Sequence, residues 1–148
     1  MIFLKCTNFV RYDAECHWVH YSSNFSDIGA AAASGQKDAL SVVGLLLDID
    51  STNCQDNVTW LEDWSKAAEE TCEPNTNSDG LFDVYGFMKN VANEQGCFGY
   101  YNYFGGLTTP GCNQLVNWIV IDTPLRINLK QVIWILPRKC RSFSVFHF

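Results

Sequence analysis

Three histidines are the residues of this sequence that can both bind a metal and change protonation near neutral pH. His17 and His20 lie three residues apart within Glu15–Tyr21 (ECHWVHY), and His147 lies near the C-terminus. Because side chains alternate along a strand, His17 and His20 face opposite sides and cannot bind one metal ion together. The spacing alone therefore favours a core histidine at His17, with a metal ligand as the alternative.

One carboxylate supports the metal alternative. Glu15 lies two residues before His17, on the same face of the predicted strand. A metal-bound imidazole usually donates its second ring N–H to a carboxylate, which fixes the ring and raises its basicity. The sequence contains no His-x-His and no His-Glu-x-x-His pattern. The residues thus indicate one metal ligand with its partner, not a complete site.

Most of the segments that could position these residues have the sequence pattern of β-strands. Five runs are rich in β-branched, aliphatic or aromatic residues, as strands are. The first of them carries bulky residues on both faces, which indicates a strand buried on both sides. The longest run is expected at the centre of a sheet. The predicted strands are Glu15–Tyr21, Ala39–Ile49, Tyr100–Phe104, Leu115–Ile121 and Gln131–Leu136.

Helix signals are fewer than strand signals. Thr59 and Glu62 have the spacing of a capping box, in which each side chain can bind the backbone N–H of the other residue. Tryptophans and alanines then follow at helical spacing. The alanine-rich segment Gly29–Gly35 predicts a short helical turn or a loop. The predicted fold class is therefore mixed α/β, strand-rich and with few helices.

Composition and charge limit the partners of the chain. Its 148 residues are 47% hydrophobic and carry a formal net charge of −6. This composition is globular and lacks the basic surface of a nucleic-acid-binding protein. No apolar run is long enough to be a membrane span. Ten of the sixteen acidic residues fall within Asp48–Asp83, which we interpret as a solvated acidic surface.

Cysteines and sequons favour a secreted, extracellular protein. Seven cysteines are scattered along the chain, and none forms the C-x-x-C pattern of a zinc ribbon or redox site. Disulfide bonds and buried thiols both remain open for them. Two glycosylation sequons begin at Asn24 and Asn57. The first ten residues do not have the pattern of a signal peptide.

Three segments resemble, in order, the second half of an α-class carbonic anhydrase. ECHWVHYSSNFSDIG begins at Glu15, ALSVVGLLL at Ala39, and YYNYFGGLTTPGCNQLVNWIVIDTPLRI at Tyr100. The resemblance covers about residues 11–132. It implies a twisted, mostly antiparallel central sheet with the active cleft at its middle. It also implies the family's reaction, in which zinc-bound hydroxide attacks carbon dioxide and gives bicarbonate, reversibly.

The resemblance implies roles for individual residues. His17 corresponds to the third zinc ligand of the family, and Glu15 to its hydrogen-bond partner. Thr108 corresponds to the threonine that orients the zinc-bound hydroxide. The residues that correspond to the carbon dioxide pocket are Val19, Leu40, Val42, Leu107, Thr109, Val116 and Trp118.

Two further correspondences concern supporting residues. Tyr103 corresponds to a tyrosine of the hydrogen-bond network around the site. Cys112 corresponds to the cysteine that secreted members pair with one near their N-terminus. We also expect Asn24 and Asn57 to be glycosylation sites if the chain is secreted.

Several positions depart from the family pattern. The family's other two zinc ligands form a His-x-His pair upstream, and none precedes His17. Leu4 stands where the pattern has a glutamate, and Gly111 where it has the second proline of the threonine loop. We therefore expect a partial carbonic anhydrase domain at residues 11–136, between unmatched segments at 1–10 and 137–148. Read-through into non-coding sequence and a diverged paralogue both remain open as explanations.

These departures lead to expectations about activity. A catalytic zinc site has three protein ligands, so we expect the isolated chain to bind zinc weakly and to be inactive. The alternative is a non-catalytic, acidic binding or matrix protein with the same fold, since the acidic segment could bind cations. A partial sheet would also leave strand edges exposed, so we expect self-association through them.

Overall fold

The computed structural model describes residues 6–7, 10–49, 99–108 and 111–128. The predicted strand Gln131–Leu136, the predicted helix after Thr59 and nearly all of the acidic segment Asp48–Asp83 lie outside these residues. The elements in chain order are β1 (Cys6–Thr7), β2 (Val10–Arg11), β3 (Ala14–Tyr21), α1 (Ile28–Ala33), β4 (Leu40–Ile49), β5 (Tyr100–Gly105), β6 (Val116–Ile121) and β7 (Leu125–Ile127).

Five of the described strands form one sheet in the order β3-β4-β6-β5, and β7 also pairs with β4. The first half of β4 pairs with β6 and its last three residues pair with β7, both in parallel. The β3–β4 and β5–β6 pairs are antiparallel. The sheet is therefore mixed. The strand-rich mixed fold and the central position of β4 are confirmed. A separate antiparallel pair joins β1 and β2.

The burial of β4 follows from its position inside the sheet. Leu45, Leu46 and Leu47 are consecutive and have no exposed surface. Because consecutive side chains point to opposite faces, this run must be covered on both sides. By contrast, β6 alternates at its start: Val116 and Trp118 are buried, while Asn117 between them is only half-buried.

Helix α1 covers one face of the sheet. Asp27 caps its N-terminus, since the carboxylate accepts a hydrogen bond of 2.8 Å from the N–H of Ala30. Ala31 packs into the core cluster on that face, and Gly35, with φ of 64°, follows the last turn. No helix among the described residues is long and apolar enough to span a membrane. The core cluster consists of Val19, Ala31, Ala39, Leu40, Val42, Leu115, Val116, Trp118 and Val120.

Candidate metal centre

Strand β3 places a carboxylate directly beside an imidazole. Oε1 of Glu15 lies 3.0 Å from Nε2 of His17, and the two side chains are 2% and 15% exposed. The alternation along β3 brings both side chains to one face of the sheet, as predicted from their spacing. Because Glu15 lies next to Nε2, a metal ion held by this ring would be bound through Nδ1. This arrangement is the one in which a carboxylate orients a metal-binding histidine.

Gly44 of β4 makes room for this pair. It lies opposite His17 in the antiparallel β3–β4 register. A Cβ at Gly44 would lie 3.0 Å from Oε1 of Glu15 and 3.9 Å from Cδ2 of His17. Gly44 is not among the sequence-predicted site residues. A glycine within an aliphatic strand often marks a close approach of other groups, and that signal is present in the sequence.

An apolar wall lies beside the imidazole. Val19, Val42 and Trp118 occupy one row across β3, β4 and β6, and they are 8%, 2% and 4% exposed. The ring of Trp118 meets the ring of His17 edge-on, with 4.9 Å between centroids and an angle of 72°. Two more of the predicted pocket residues are buried two residues along the strands, on the same face: Leu40 and Val116.

The loop after β5 carries the predicted threonines. Leu107 donates its N–H to the carbonyl of Asn113 at 3.0 Å and packs against the core cluster. Thr108 follows it and is exposed. Thr109 lies outside the described residues. Gly111 has a φ of 108°, which a proline cannot adopt because its ring fixes φ near −65°. A proline at position 111 could therefore not take the backbone conformation that Gly111 has here.

Trp118 joins this loop to the apolar wall. Its Nε1–H donates to the carbonyl of Gly106 at 3.1 Å. The ring of Tyr103 is stacked on that of Trp118, with 6.2 Å between centroids and an angle of 9° between the planes. A Cβ at Gly106 would meet the Gln114 side chain and lie 2.8 Å from the carbonyl of Cys112. The close approach of the loop therefore needs glycine at position 106.

Cys16 and Cys112 differ in their surroundings. Cys16 and Cys112 are both free, the first buried and the second exposed. Burial raises the pKa of the Cys16 thiol, so it stays protonated and poorly reactive. The pairing of Cys112 with a cysteine elsewhere stays a prediction. Among the sequons, Asn24 is exposed in the loop after β3, and Asn57 lies outside the described residues.

The donor set around His17 is incomplete for a catalytic metal. Within residues 10–49, 99–108 and 111–128, no three His, Cys, Asp or Glu side chains come together as a metal site would require. A catalytic zinc site needs three protein ligands and one open position. The described residues therefore fit one ligand with its carboxylate partner, and not a whole zinc site.

The family model for eukaryotic-type carbonic anhydrase matches residues 6–137, which include every described strand. The chain belongs to this family. The predicted resemblance is confirmed, and the strand-rich sheet around Glu15 and His17 is consistent with the carbonic anhydrase fold.

Three relatives show how much of the family's length is represented. Carbonic anhydrase 12 of Homo sapiens is 30% identical over 125 residues, which are 83% of this chain and 32% of that protein. Carbonic anhydrase 3 of Bos taurus is 27% identical over 125 residues, 83% and 43% of the two chains. Carbonic anhydrase 6 of Mus musculus is 29% identical over 130 residues, 85% and 37%. The chain thus spans less than half the length of each of these relatives.

Proposed function

We propose that this chain is part of a carbonic anhydrase domain that catalyses the reversible hydration of carbon dioxide to bicarbonate. The observation that carries the proposal is the buried contact between Glu15 and His17, next to the apolar wall of Val19, Val42 and Trp118. An imidazole that a carboxylate orients for metal binding, beside a dry surface, suits a small uncharged substrate that reacts with an oxygen nucleophile.

His17 is the residue through which this chain would contribute to zinc binding. Oε1 of Glu15, 3.0 Å from Nε2 of His17, would accept a hydrogen bond from the Nε2–H and so favour the tautomer whose Nδ1 can bind the metal. When bound in a complete site, zinc lowers the pKa of a coordinated water to about 7. Two further ligands are needed, and the described residues do not place any beside His17.

The apolar wall and the threonine loop would bind and align the substrate. The side chains of this wall (Val19, Val42 and Trp118) carry one hydrogen-bonding group, the indole N–H, and it already donates to the carbonyl of Gly106. Carbon dioxide would lie against this surface without competition from ordered water. Thr108, exposed on the loop that Trp118 holds in place, would accept a hydrogen bond from the attacking oxygen through its hydroxyl.

The isolated chain is expected to lack hydration activity. One imidazole cannot hold a catalytic zinc, so zinc binding at His17 should be weak. Stopped-flow hydration of carbon dioxide with the zinc-supplemented chain should not exceed the rate of zinc in buffer. Stoichiometric zinc in the purified chain together with turnover would contradict this expectation.

A chimera tests the proposed function directly. The matched 125 residues of human carbonic anhydrase 12 would be replaced by the matching residues of this chain. The host then supplies the parts of the domain outside the match. We expect a zinc-loaded chimera that hydrates carbon dioxide, and loss of zinc in the His17→Ala variant. A folded, zinc-loaded chimera without hydration activity would contradict the proposal.

Matched variants of the chimera separate the proposed roles. Glu15→Gln should weaken zinc binding by about 10–100-fold, because the partner of the imidazole is changed. Thr108→Val should leave zinc bound and lower the turnover, whereas Thr108→Ser keeps the hydroxyl and should retain most of it. Equal turnover in the valine and serine variants would show that the Thr108 hydroxyl has no part in the reaction.

Three further predictions stay untested by the described residues. The alternative of an acidic binding or matrix protein depends on Asp48–Asp83, and calorimetric titration with calcium would test it. An extracellular location is supported by the seven cysteines and two sequons, and detection of the protein in secreted fractions of its source would test it. Self-association through sheet edges would be measured by sedimentation of the purified chain.

A further inference from the structure

We propose that Asn24 carries an N-linked glycan when the chain enters the secretory pathway. The sequon Asn24-Phe25-Ser26 lies in the loop between β3 and α1. The loop places the first and third residues of the sequon on the surface and turns the second into the protein. A sugar chain is bulky and strongly hydrated, so its attachment site must face water in the folded protein.

Hydrogen bonds within the loop support this arrangement of exposed and half-buried sequon residues. Phe25 donates its N–H to the carbonyl of Ser22 at 3.0 Å, and Asn24 donates its N–H to Oγ of Ser22 at 3.4 Å. The half-buried Phe25 ring packs against the core cluster. Asn24 and Ser26 are exposed on either side of it. A glycan on Asn24 would therefore project into solvent without moving Phe25 out of the core.

The residues before the sequon also face solvent. The strand β3 is buried along most of its length, but its last two residues, His20 and Tyr21, are exposed. At a rise of about 3.3 Å per residue, the end of β3 lies about 13 Å from His17 along the strand. The glycan would thus lie beyond the exposed end of β3, away from the Glu15–His17 pair.

The modification is a group transfer from an oligosaccharide linked to a lipid diphosphate. The amide nitrogen of Asn24 forms a bond to the anomeric carbon of the first sugar. The bond from that carbon to the diphosphate breaks, and the lipid diphosphate leaves with the electron pair. The amide nitrogen loses one proton to a base of the transferase. Ser26 supplies the hydroxyl that the transferase recognises in the third position of the sequon.

The test uses the full chain behind a heterologous cleavable signal peptide, translated with endoplasmic-reticulum microsomes. Chains that resist added protease are lumenal and are then treated with peptide N-glycosidase. Peptide mass spectrometry reads Asn24 individually, because the enzyme converts a glycosylated asparagine to aspartate. We expect this conversion at Asn24 in most of the protected chains, and its loss in the Ser26→Ala variant.

Matched variants distinguish the sequon from other causes. Ser26→Thr should retain the glycan on Asn24, and Asn57→Gln should leave it unchanged. Protected chains with an unmodified Asn24 would overturn the proposal. So would a glycan that persists in the Ser26→Ala variant. The glycosylated chain and the Asn24→Gln variant should also unfold at the same urea midpoint, and a lower midpoint for the glycosylated chain would contradict the surface placement.

Discussion

One row of the sheet crosses from the interior of the protein to its surface. Val19, Val42, Trp118 and Tyr103 are aligned across β3, β4, β6 and β5. The first three are 8%, 2% and 4% exposed, whereas Tyr103 is 41% exposed. All four side chains are apolar or aromatic, so side-chain chemistry does not separate them. Edge position alone does not separate them either, since β3 and β5 each have a strand on one side only in the described sheet. Val19 packs in the core cluster together with Ala31 of α1, whereas Tyr103 lies outside that cluster.

The same difference holds for the rest of β5. Tyr100, Tyr101 and Phe104 are 61%, 50% and 41% exposed. The ammonium of Lys37 lies 4.6 Å from the centroid of the Phe104 ring and covers part of it. Exposed aromatic side chains on an edge strand often mark a contact with another polypeptide. The predicted self-association would act here, while the chemistry proposed for His17 belongs to the buried part of the same rows.

The largest expected effect is the difference in stability loss between substitutions at the buried and the exposed positions of this row. Trp118→Ala should lower the free energy of unfolding by about 3–5 kcal/mol, because it removes a buried indole and leaves a cavity. Tyr103→Ala should cost no more than about 1.5 kcal/mol, since the exposed ring contributes mainly its stacking on Trp118. Urea unfolding followed by far-ultraviolet circular dichroism would measure both.

The comparison between buried and exposed positions fails if the two losses are equal. A Trp118→Phe variant helps to locate the cause. It restores much of the buried area but cannot donate a hydrogen bond to the carbonyl of Gly106. Stability intermediate between Trp118→Ala and the unchanged chain would show that both the packing and the hydrogen bond contribute.

A smaller effect is expected two residues along the strands, on the same face, where His17, Gly44, Val120 and Tyr101 are aligned. Gly44→Val should lower the free energy of unfolding by about 1–3 kcal/mol, since its side chain would be forced against Glu15 and Val120. Tyr101→Val, on the exposed strand, should change it by no more than about 0.5 kcal/mol.

Substitutions at Gly44 can be followed both by stability and at the Glu15–His17 pair. Gly44→Ala adds only the Cβ and should fall between the unchanged chain and Gly44→Val. Nitrogen chemical shifts of the His17 ring should move in the Gly44 variants, because the carboxylate beside Nε2 is displaced. A Gly44→Val variant with unchanged stability and unchanged His17 shifts would show that the space at position 44 is not needed.

Local sequence patterns predicted β3, β4, β5 and β6 but not the short strands β1, β2 and β7, and they did not predict the exposure of the side chains on β5. β3, β4 and β6 are runs of branched and aromatic residues, and such runs identify strands directly. The run Tyr100–Phe104 has the same character, yet it is exposed, because burial depends on which elements pack against the faces of a strand. Neighbours in a sheet are set by contacts between distant residues, and a single run does not contain that information.

The same limit divides the predicted site. The pairing of Glu15 with His17 could be predicted, since residues two apart on a strand share a face. The place of Gly44 opposite His17 could not, because it depends on the register between β3 and β4. Likewise, the hydrogen bond from Trp118 to Gly106 joins a strand to a loop through their packing. Local alternation therefore identified the buried pair, and tertiary structure supplied its surroundings.

The smallest expected effect is a pH dependence at the surface, beside the proposed glycan. The hydrogen bond from the Ala30 N–H, and then that from the Ser26 hydroxyl, hold the pKa of the Asp27 carboxyl below its usual value. Because the folded pKa is the lower one, the contribution of this carboxylate is fully present above the unfolded value of about 3.9 and is lost as pH falls through the folded pKa. The fully exposed position keeps the effect small.

Asp27→Asn is the matched variant for this prediction, since its amide oxygen can still accept the Ala30 N–H but does not titrate. Urea midpoints of the two chains should differ near neutral pH and converge as the pH falls below about 4. A difference in urea midpoint that persists unchanged to acid pH would show that the charge of Asp27 does not cause it. Convergence would show that the charge contributes, which distinguishes this titrating surface position from the packing effects expected at Trp118 and Gly44.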